Sequence, residues 1–495
     1  VSYLREVREL ADSAIDLCRG TPEAEELTAL ADRLQSPLRV AIAGRVKAGK
    51  STLLNALVGE QLAPTDAGEC TKIVTWYQHG PTYRIAVHLD DGTSQPGRFH
   101  RDAGAIEVDL GSLPATAVER IVVEWPSPRL ADLTLIDTPG MASTNEEISD
   151  RAVSFLSPKD EQPTEADAII YLMRHLHSTD LSFLEAFHDD ELAHASPVNA
   201  IGVLSRADEI GVGRNDAMGA AQRIAGRYRV DEKLRRYCQT VLPMAGLLAE
   251  TAATLTEDEF RALSRIAAVE RKEVDAQLLS ADRFVSADPT TGPTPLERRH
   301  LLDRLGVFGV RISLPLIRLG RVTSASELAE ALQSRSGIHQ LRSELIERFG
   351  NRRDVLRARS VLQGVEAVLG QYEGEGASEL LGELERLRAS SHEFAEICLL
   401  NDLRRGFIAF PAGLEGDVER ILGGNGTKPP DRVGLEPEAP EDEVRAALLE
   451  AIDRWRTVQA HPLTSREVSN AAGVLVRTCE GALAELALPR YVPVA

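Results

Sequence analysis

Apolar residues at the start of the chain recur at Tyr3, Val7, Leu10, Ala14 and Leu17, alternating steps of four and three that place them on one helical face. Thr21 followed by Pro22 predicts a second helix start, the threonine as N-cap and the proline at the first helical position. A stripe this early, ahead of any domain, needs a partner to cover it. From Leu38 the pattern changes to short apolar runs separated by helical stretches. RVAIA (39–43), KIVTWY (72–77), YRIAVHL (83–89), ERIVVEW (119–125), DLTLID (132–137), ADAIIYLM (166–173), NAIGVLS (199–205) and TVLPMAG (240–246) are predicted strands. Near-continuous apolar strands with helices between them imply a mostly parallel sheet covered on both faces. The run at 83–89 and its turn DDGTSQPG read as an added antiparallel arm.

Beyond Leu247 the pattern is helical to the end, with polar breaks at 288–295 and 423–440, the second expected to be a flexible loop. Leu380, Leu384, Leu387, Ser391, Phe394 and Cys398 keep a heptad-like spacing, as do Val468, Ala472, Leu475, Cys479, Ala482 and Leu486. Such stripes predict long helices packed side by side in a bundle.

With 495 residues the chain exceeds one ordinary core, so two or three domains are expected. Its 56 basic and 76 acidic residues give a net charge of −20, which repels nucleic-acid backbones and predicts no nucleic-acid partner. Anionic membrane surfaces meet the same objection. No apolar run is long enough for a spanning helix, and VSYLREVREL cannot be a signal peptide's apolar core, so a cytoplasmic location is expected. Cys18, Cys70, Cys238, Cys398 and Cys479 are scattered and odd in number, which argues against a disulfide framework or a cysteine metal site. Cys70 stands apart because it sits beside a candidate switch threonine.

GRVKAGKS (44–51) follows an apolar strand and opens the helical start TLLNALVG, the strand–loop–helix setting of a P-loop. Gly44, Ala48 and Gly49 let the backbone approach phosphates, and successive N–H groups through Ser51 and Thr52 form an anion nest at the helix N-terminus. Lys50 would reach the β- and γ-phosphates, and the Ser51 hydroxyl would ligate Mg²⁺. DTPG (137–140) ends a strand, where Asp137 can serve as an outer carboxylate for Mg²⁺ and the Gly140 N–H can sense a γ-phosphate. SRAD (205–208) follows another strand; Asp208 would accept from guanine N1–H and the 2-amino group, with Arg206 stacking on the base. The bland alternative for Asp208 is a cap for the next helix.

A switch threonine must lie between cradle and DTPG; Thr65 and Thr71 are available, and Thr71, directly before a strand, is preferred as Mg²⁺ ligand and holder of the attacking water. Met141 follows DTPG and cannot orient water as a glutamine would. Lys47, inside the cradle, is either a cation for charge developing between the phosphates or a solvated loop lysine.

These residues resemble the dynamin family of large GTPases, and within it the bacterial dynamin-like proteins. The Gly44-to-Asp137 interval is roughly double that of small GTPases, a hydrophobic residue follows DTPG, HSTDLSFL (177–184), which follows the strand AIIYLM, is similar to the family's stretch after that strand, and helical segments flank the GTPase region. The resemblance implies that Lys50, Ser51, Thr71 and Asp137 are the phosphate and Mg²⁺ residues, with Lys47 at the charge-compensating position of the cradle. It implies that Asp208 reads the base and that the loop through Ala245 and Gly246 closes over it with backbone groups. SRAD and the Val46-Lys47 pair depart from the family's pattern.

The fold expected is α/β, a P-loop GTPase domain with an α-helical bundle stalk formed from both termini. Its divisions are N-terminal helices at 1–36, a GTPase domain at 37–350 and a stalk at 351–495, with a neck near Gly350 amid Arg348, Arg352, Arg353, Arg357 and Arg359. The family implies GTP hydrolysis, self-association through GTPase domains or with a related dynamin-like protein, and membrane remodelling with peripheral contact at the inner face of the plasma membrane. RRGFIAFPAGL (404–414) has the composition of a membrane-inserting tip, but outward and returning helices would leave it near the GTPase domain. A GTP switch acting on a protein partner and an ATPase with a helical arm are the competing readings.

Overall fold

Valine, isoleucine and alanine fill β1 (Leu38–Gly44), which is almost wholly buried, and parallel neighbours close over it on both sides. The computed structural model describes residues 2–64, 73–102, 105–111, 113–140, 165–174, 199–211, 213–287, 292–350, 352–411 and 413–487. Among these, nine strands form one sheet. β2 is Val74–His79, β3 Arg84–Leu89, β4 Ser94–Pro96, β5 Arg98–Asp102, β6 Ala105–Asp109, β7 Val118–Trp125, β8 Leu133–Asp137, β9 Ala168–Met173, β10 Ala200–Leu204 and β11 Val241–Pro243. The order is β11-β10-β9-β1-β8-β2-β7-β3-β4, with β5 and β6 a separate hairpin. The five strands from β11 to β8 are parallel. β2 turns antiparallel to β8 yet runs parallel to β7, and β3 and β4 extend the sheet as the antiparallel arm.

Two expectations need correcting here. The turn after β3 holds a short strand, Ser94–Pro96, and the β5–β6 hairpin follows where no strand was expected. The run at 240–246 is strand only for Val241–Pro243, because the next helix already begins at Gly246.

The N-terminal helices, α1 (Ser2–Leu17) and α2 (Pro22–Arg33), bury their stripe far along the sequence. Val7, Leu10, Ala14, Leu27 and Leu30 share one core with Ala358, Val361, Val365, Leu369 and Leu384 of the C-terminal helices. Thr21 occupies the N-cap position of α2, but its hydroxyl donates back to the Cys18 carbonyl at 2.9 Å. The helix is tied to the sheet by a buried ion pair, Arg33 Nη2 to Asp167 Oδ1 at 2.9 Å, and Asp167 Oδ2 accepts from the Arg39 N–H at 2.9 Å.

Downstream, α3 (Lys50–Val58) is the helix after the cradle, α4 is Gly246–Thr254 and α5 is Pro295–Arg318, started by a Thr294/Glu297 capping box. α6 (Ile338–Glu344) leads through a π-helical turn, Leu345–Gly350, into α7 (Arg353–Gln371). The heptad-like stripe at 380–398 is split between α8 (Ala377–Ser390) and α9 (His392–Arg405); Ser391 adopts an extended ψ of 115° and caps α9 by accepting from the Phe394 N–H. Part of the expected loop at 423–440 is also helical, at Pro429–Val433. α10 (Glu441–Ala460) and α11 (Arg466–Ala487) complete the bundle around Trp455, whose side chain is fully buried.

The segment RRGFIAFPAGL lies on the side of the bundle that meets the sheet. Arg404 pairs with Glu419 at 2.8 Å, and Glu419 also pairs with Arg235 beside β11. Phe410 is buried edge-on against Trp455 at 5.8 Å, whereas Phe407 is exposed. At the neck, Arg348 donates to Gln239 Oε1 and the Gly424 carbonyl, and Arg352 to the Leu422 carbonyl. No helix among the described residues is long and apolar enough to cross a membrane.

Candidate functional site

β1, β8 and α3 converge where the parallel strands end. Gly49 enters α3 at φ 94°, a left-handed conformation that suits glycine, and Lys47 sits in the same region at φ 62° on the exposed rim of the loop. Lys50 Nζ donates to the Gly44 carbonyl at 3.3 Å. Burial lowers the Lys50 pKa, and the charge of Asp137 partly opposes this. Ser51 Oγ donates to Asp137 Oδ2 at 2.9 Å. The other carboxylate oxygen, Asp137 Oδ1, is buried with no hydrogen-bond partner among the described residues, and burial raises that carboxyl's pKa against the pull of Lys50 and Ser51. An unspent buried carboxylate oxygen beside a hydroxyl is the donor set a hard divalent cation requires. Thr138 fastens DTPG to β1 through its hydroxyl, 2.9 Å from the Ile42 carbonyl. Gly140 lies so close to Val46 that a Cβ there would come within 2.7 Å of it.

Asp208 is brought to the same place. A cavity of about 130 Å³ is bounded by Ala48, Gly49 and Thr52 on the cradle side and by Ser205, Arg206, Asp208, Gly246 and Leu247 on the other. Asp208 is buried, and burial raises its pKa, with Glu209 adding and Arg206 opposing. Its carboxylate therefore favours a partner that donates hydrogen bonds to it. Arg206 has left-handed backbone at φ 52° and is held by Glu209 Oε1 at 2.6 Å, while Glu209 Oε2 accepts from Arg174 at the end of β9 at 2.5 Å. Ala245 does not line the cavity; its N–H is committed to the Ser336 carbonyl at 2.9 Å, so it cannot donate to a base.

A family description, the Dynamin family, fits residues 40–206, from β1 into SRAD. Isoniazid-induced protein IniC of Mycobacterium tuberculosis is 37% identical over 98% of this chain and 99% of its own length. The chain belongs to the dynamin family. It is a dynamin-like GTPase that binds and hydrolyses GTP. The bacterial dynamin-like protein of Nostoc punctiforme is 33% identical over 25% of this chain and 19% of its own length. A solved bacterial dynamin, described as an oligomerised pair for long-range sensing and tethering of membranes, aligns at 13% identity over 99% of this chain and 76% of that one, with a TM-score of 0.32.

In this dynamin-like GTPase, Thr65, Thr71, Cys70, Met141 and the 177–184 stretch lie outside the described residues. Sequence reasoning missed Arg174 and Glu209, whose ion pair spans 35 positions and leaves no local motif. It also missed Gly306. There α5 kinks at φ 63°, ψ 177°, and a Cβ would sit 3.8 Å from Asp208 Oδ2. That backbone region is almost closed to residues other than glycine. Gly306→Ala is expected to cost about 1–3 kcal/mol in stability and to weaken GTP binding; denaturant unfolding and a GTP titration check both, and unchanged values would show that the kink does not shape the Asp208 wall.

Proposed function

We propose that this enzyme binds GTP with Mg²⁺ and couples nucleotide-dependent self-association to membrane remodelling. One observation carries the site assignment: Lys50, Ser51, Asp137 and Asp208, from three stretches of sequence, meet around one cradle and its adjoining cavity. Lys50 and the N–H groups of Gly49 to Thr52 take the phosphates. Ser51, Asp137 and Thr71 hold Mg²⁺, which when bound neutralises charge on the β- and γ-phosphates. Asp208 reads guanine, Arg206 covers the base, and Gly246 closes the cavity.

Guanine preference tests the base assignment. Adenine would leave the Asp208 carboxylate unpaired, so GTP should compete at least about 30-fold better than ATP. Equal competition would overturn the guanine reading in favour of an ATPase.

Residues 37–350 form the GTPase domain in this reading, and 1–36 with 351–495 form the helical stalk; the shared core of α1, α2, α7 and α8 supports that division. Lys47 is exposed, so its flexible stem becomes effective when a second GTPase domain docks across the nucleotide and excludes water. Turnover per molecule should then rise with protein concentration, and Lys47→Ala should flatten the rise by up to about a hundredfold, leaving GDP affinity nearly unchanged. A flat wild-type curve removes activation by self-association. Liposome co-sedimentation tests the membrane arm, and absence from the pellet with GTP analogue present favours a protein partner.

A further inference from the structure

A second cavity, of about 680 Å³, lies where the GTPase sheet meets the neck, at the opposite end of α3 from the cradle. Its walls are mostly apolar: Leu38 and Leu133 at the start of their strands, Leu57 and Val58 at the end of α3, and Leu345 and Ile346 on the π-helical turn. Ile346 is 64% exposed, an isoleucine left open to water at the cavity's edge. Arg129 and Arg342 also line it.

Both guanidiniums reach carbonyls at the end of α3. Arg129 Nη1 donates to the Val58 carbonyl at 3.1 Å, and Arg342 Nη2 donates to the Ala56 carbonyl at 2.8 Å. Their recorded partners are backbone carbonyls, and neither has a carboxylate within ion-pair distance among the described residues. The acids that line the cavity pair with other arginines: Asp132 with Arg353, also a lining residue, at 3.3 Å, and Asp354 with Arg357 at 2.5 Å. Burial and the charge of Arg129 pull Arg342's pKa down to about 10. Size, leucine-rich walls and a position where the sheet meets the neck are attributes of a small-molecule site.

We propose that this cavity is a second ligand site, for an amphipathic anion with a single acidic head and an unbranched apolar body. The head lies between Arg129 and Arg342, and the body covers the leucines and Ile346. Charge complementarity selects the head: a neutral ligand leaves the repulsion between the two guanidiniums in place, and a cation adds to it. The cavity walls come from both the GTPase sheet and the turn into α7, so a bound ligand braces the neck. Because α3 runs from this cavity to the cradle, ligand and GTP affinities are linked and each shifts the other equally. That linkage rests on the cradle holding GTP; the binding itself does not.

The test uses the full-length chain without nucleotide and decanoate below its micelle concentration, titrated calorimetrically, with decanol and decylamine as matched neutral and cationic probes. Decanoate should saturate at one site per chain, and decanol and decylamine should bind at least about tenfold more weakly. Arg342→Gln keeps donors for the α3 carbonyls but loses the charge, and should weaken decanoate about tenfold with little effect on decanol. Ile346→Glu, at an exposed position, should abolish decanoate binding while circular dichroism and the unfolding midpoint stay in place. Non-saturable uptake, equal binding of the three probes, or indifference to both substitutions would overturn the site. Repeating the titration with a GTP analogue reads the linkage separately: equal decanoate affinities with and without it refute the coupling and leave the site standing.

Discussion

Lys50→Ala is expected to lower GTP turnover about a thousandfold or more while the protein still folds. Among the described residues, the ammonium is the one side-chain cation at the cradle that is both half-buried and placed beside Asp137, and it donates to a loop carbonyl, not to a core group. Removing it deletes charge stabilisation at the phosphates and little packing. It also strips Asp137 of its compensating charge, so that buried carboxyl would hold its proton to a still higher pH. Relative to wild type, the mutant's stability should then fall as pH rises from the wild-type folded pKa, itself already above 3.8, to the mutant's higher one, because only there does the mutant's native state hold a proton that the wild type's has released. Single-turnover hydrolysis and denaturant unfolding at about pH 4 and pH 7 measure the two effects. Wild-type turnover in the mutant would remove the cradle from the mechanism.

Asp167→Ala should cost about 3–5 kcal/mol, a large share of the 5–15 kcal/mol that typically holds a domain folded. Asp167 is 4% exposed and Arg33 7% exposed, and one carboxylate serves both the guanidinium and the Arg39 backbone N–H. Truncation leaves Arg33 charged in a dry site without its carboxylate and leaves the Arg39 N–H without its acceptor. Replacing both partners with apolar side chains, Arg33→Met with Asp167→Leu, should recover part of the loss because the buried charge goes with the pair. Urea unfolding of the four proteins of that cycle gives the coupling; a single-mutant cost below about 1 kcal/mol would show that the pair does not fasten α2 to the sheet.

The legible parts of this chain are those where one local rule decides. RVAIA, DLTLI and AIIYLM are apolar almost without interruption because the strands they form are buried on both faces, and GRVKAGKS is a contiguous motif whose shape depends on its own glycines. The β5–β6 hairpin was hidden because RFHRD carries charges at three of its five positions. Ser391 was hidden by its spacing: it falls in register with leucines of a heptad-like stripe, while its hydroxyl suits it equally to cap a new helix. Gly306 reads in sequence as a tolerated glycine within a helix, and only its place beside Asp208 shows what its backbone freedom permits. In the site, Lys50, Ser51, Asp137 and Asp208 could be picked from their motifs. The Arg174–Glu209–Arg206 chain could not, since its members are joined by a fold and not by a spacing.

The grip of Arg129 and Arg342 on the last carbonyls of α3 has a mechanical side. A nine-residue helix is a rod about 13 Å long, so pivoting it by about 10° at the cradle end sweeps the far end through about 2 Å. A hydrogen bond of 2.8 Å does not survive that displacement, so the rod either snaps its tether or drags Arg342, and with it α6 and the turn into α7. A tilt of α3 at its cradle end would thus become linear travel at the turn into α7, limited by the strength of that one hydrogen bond.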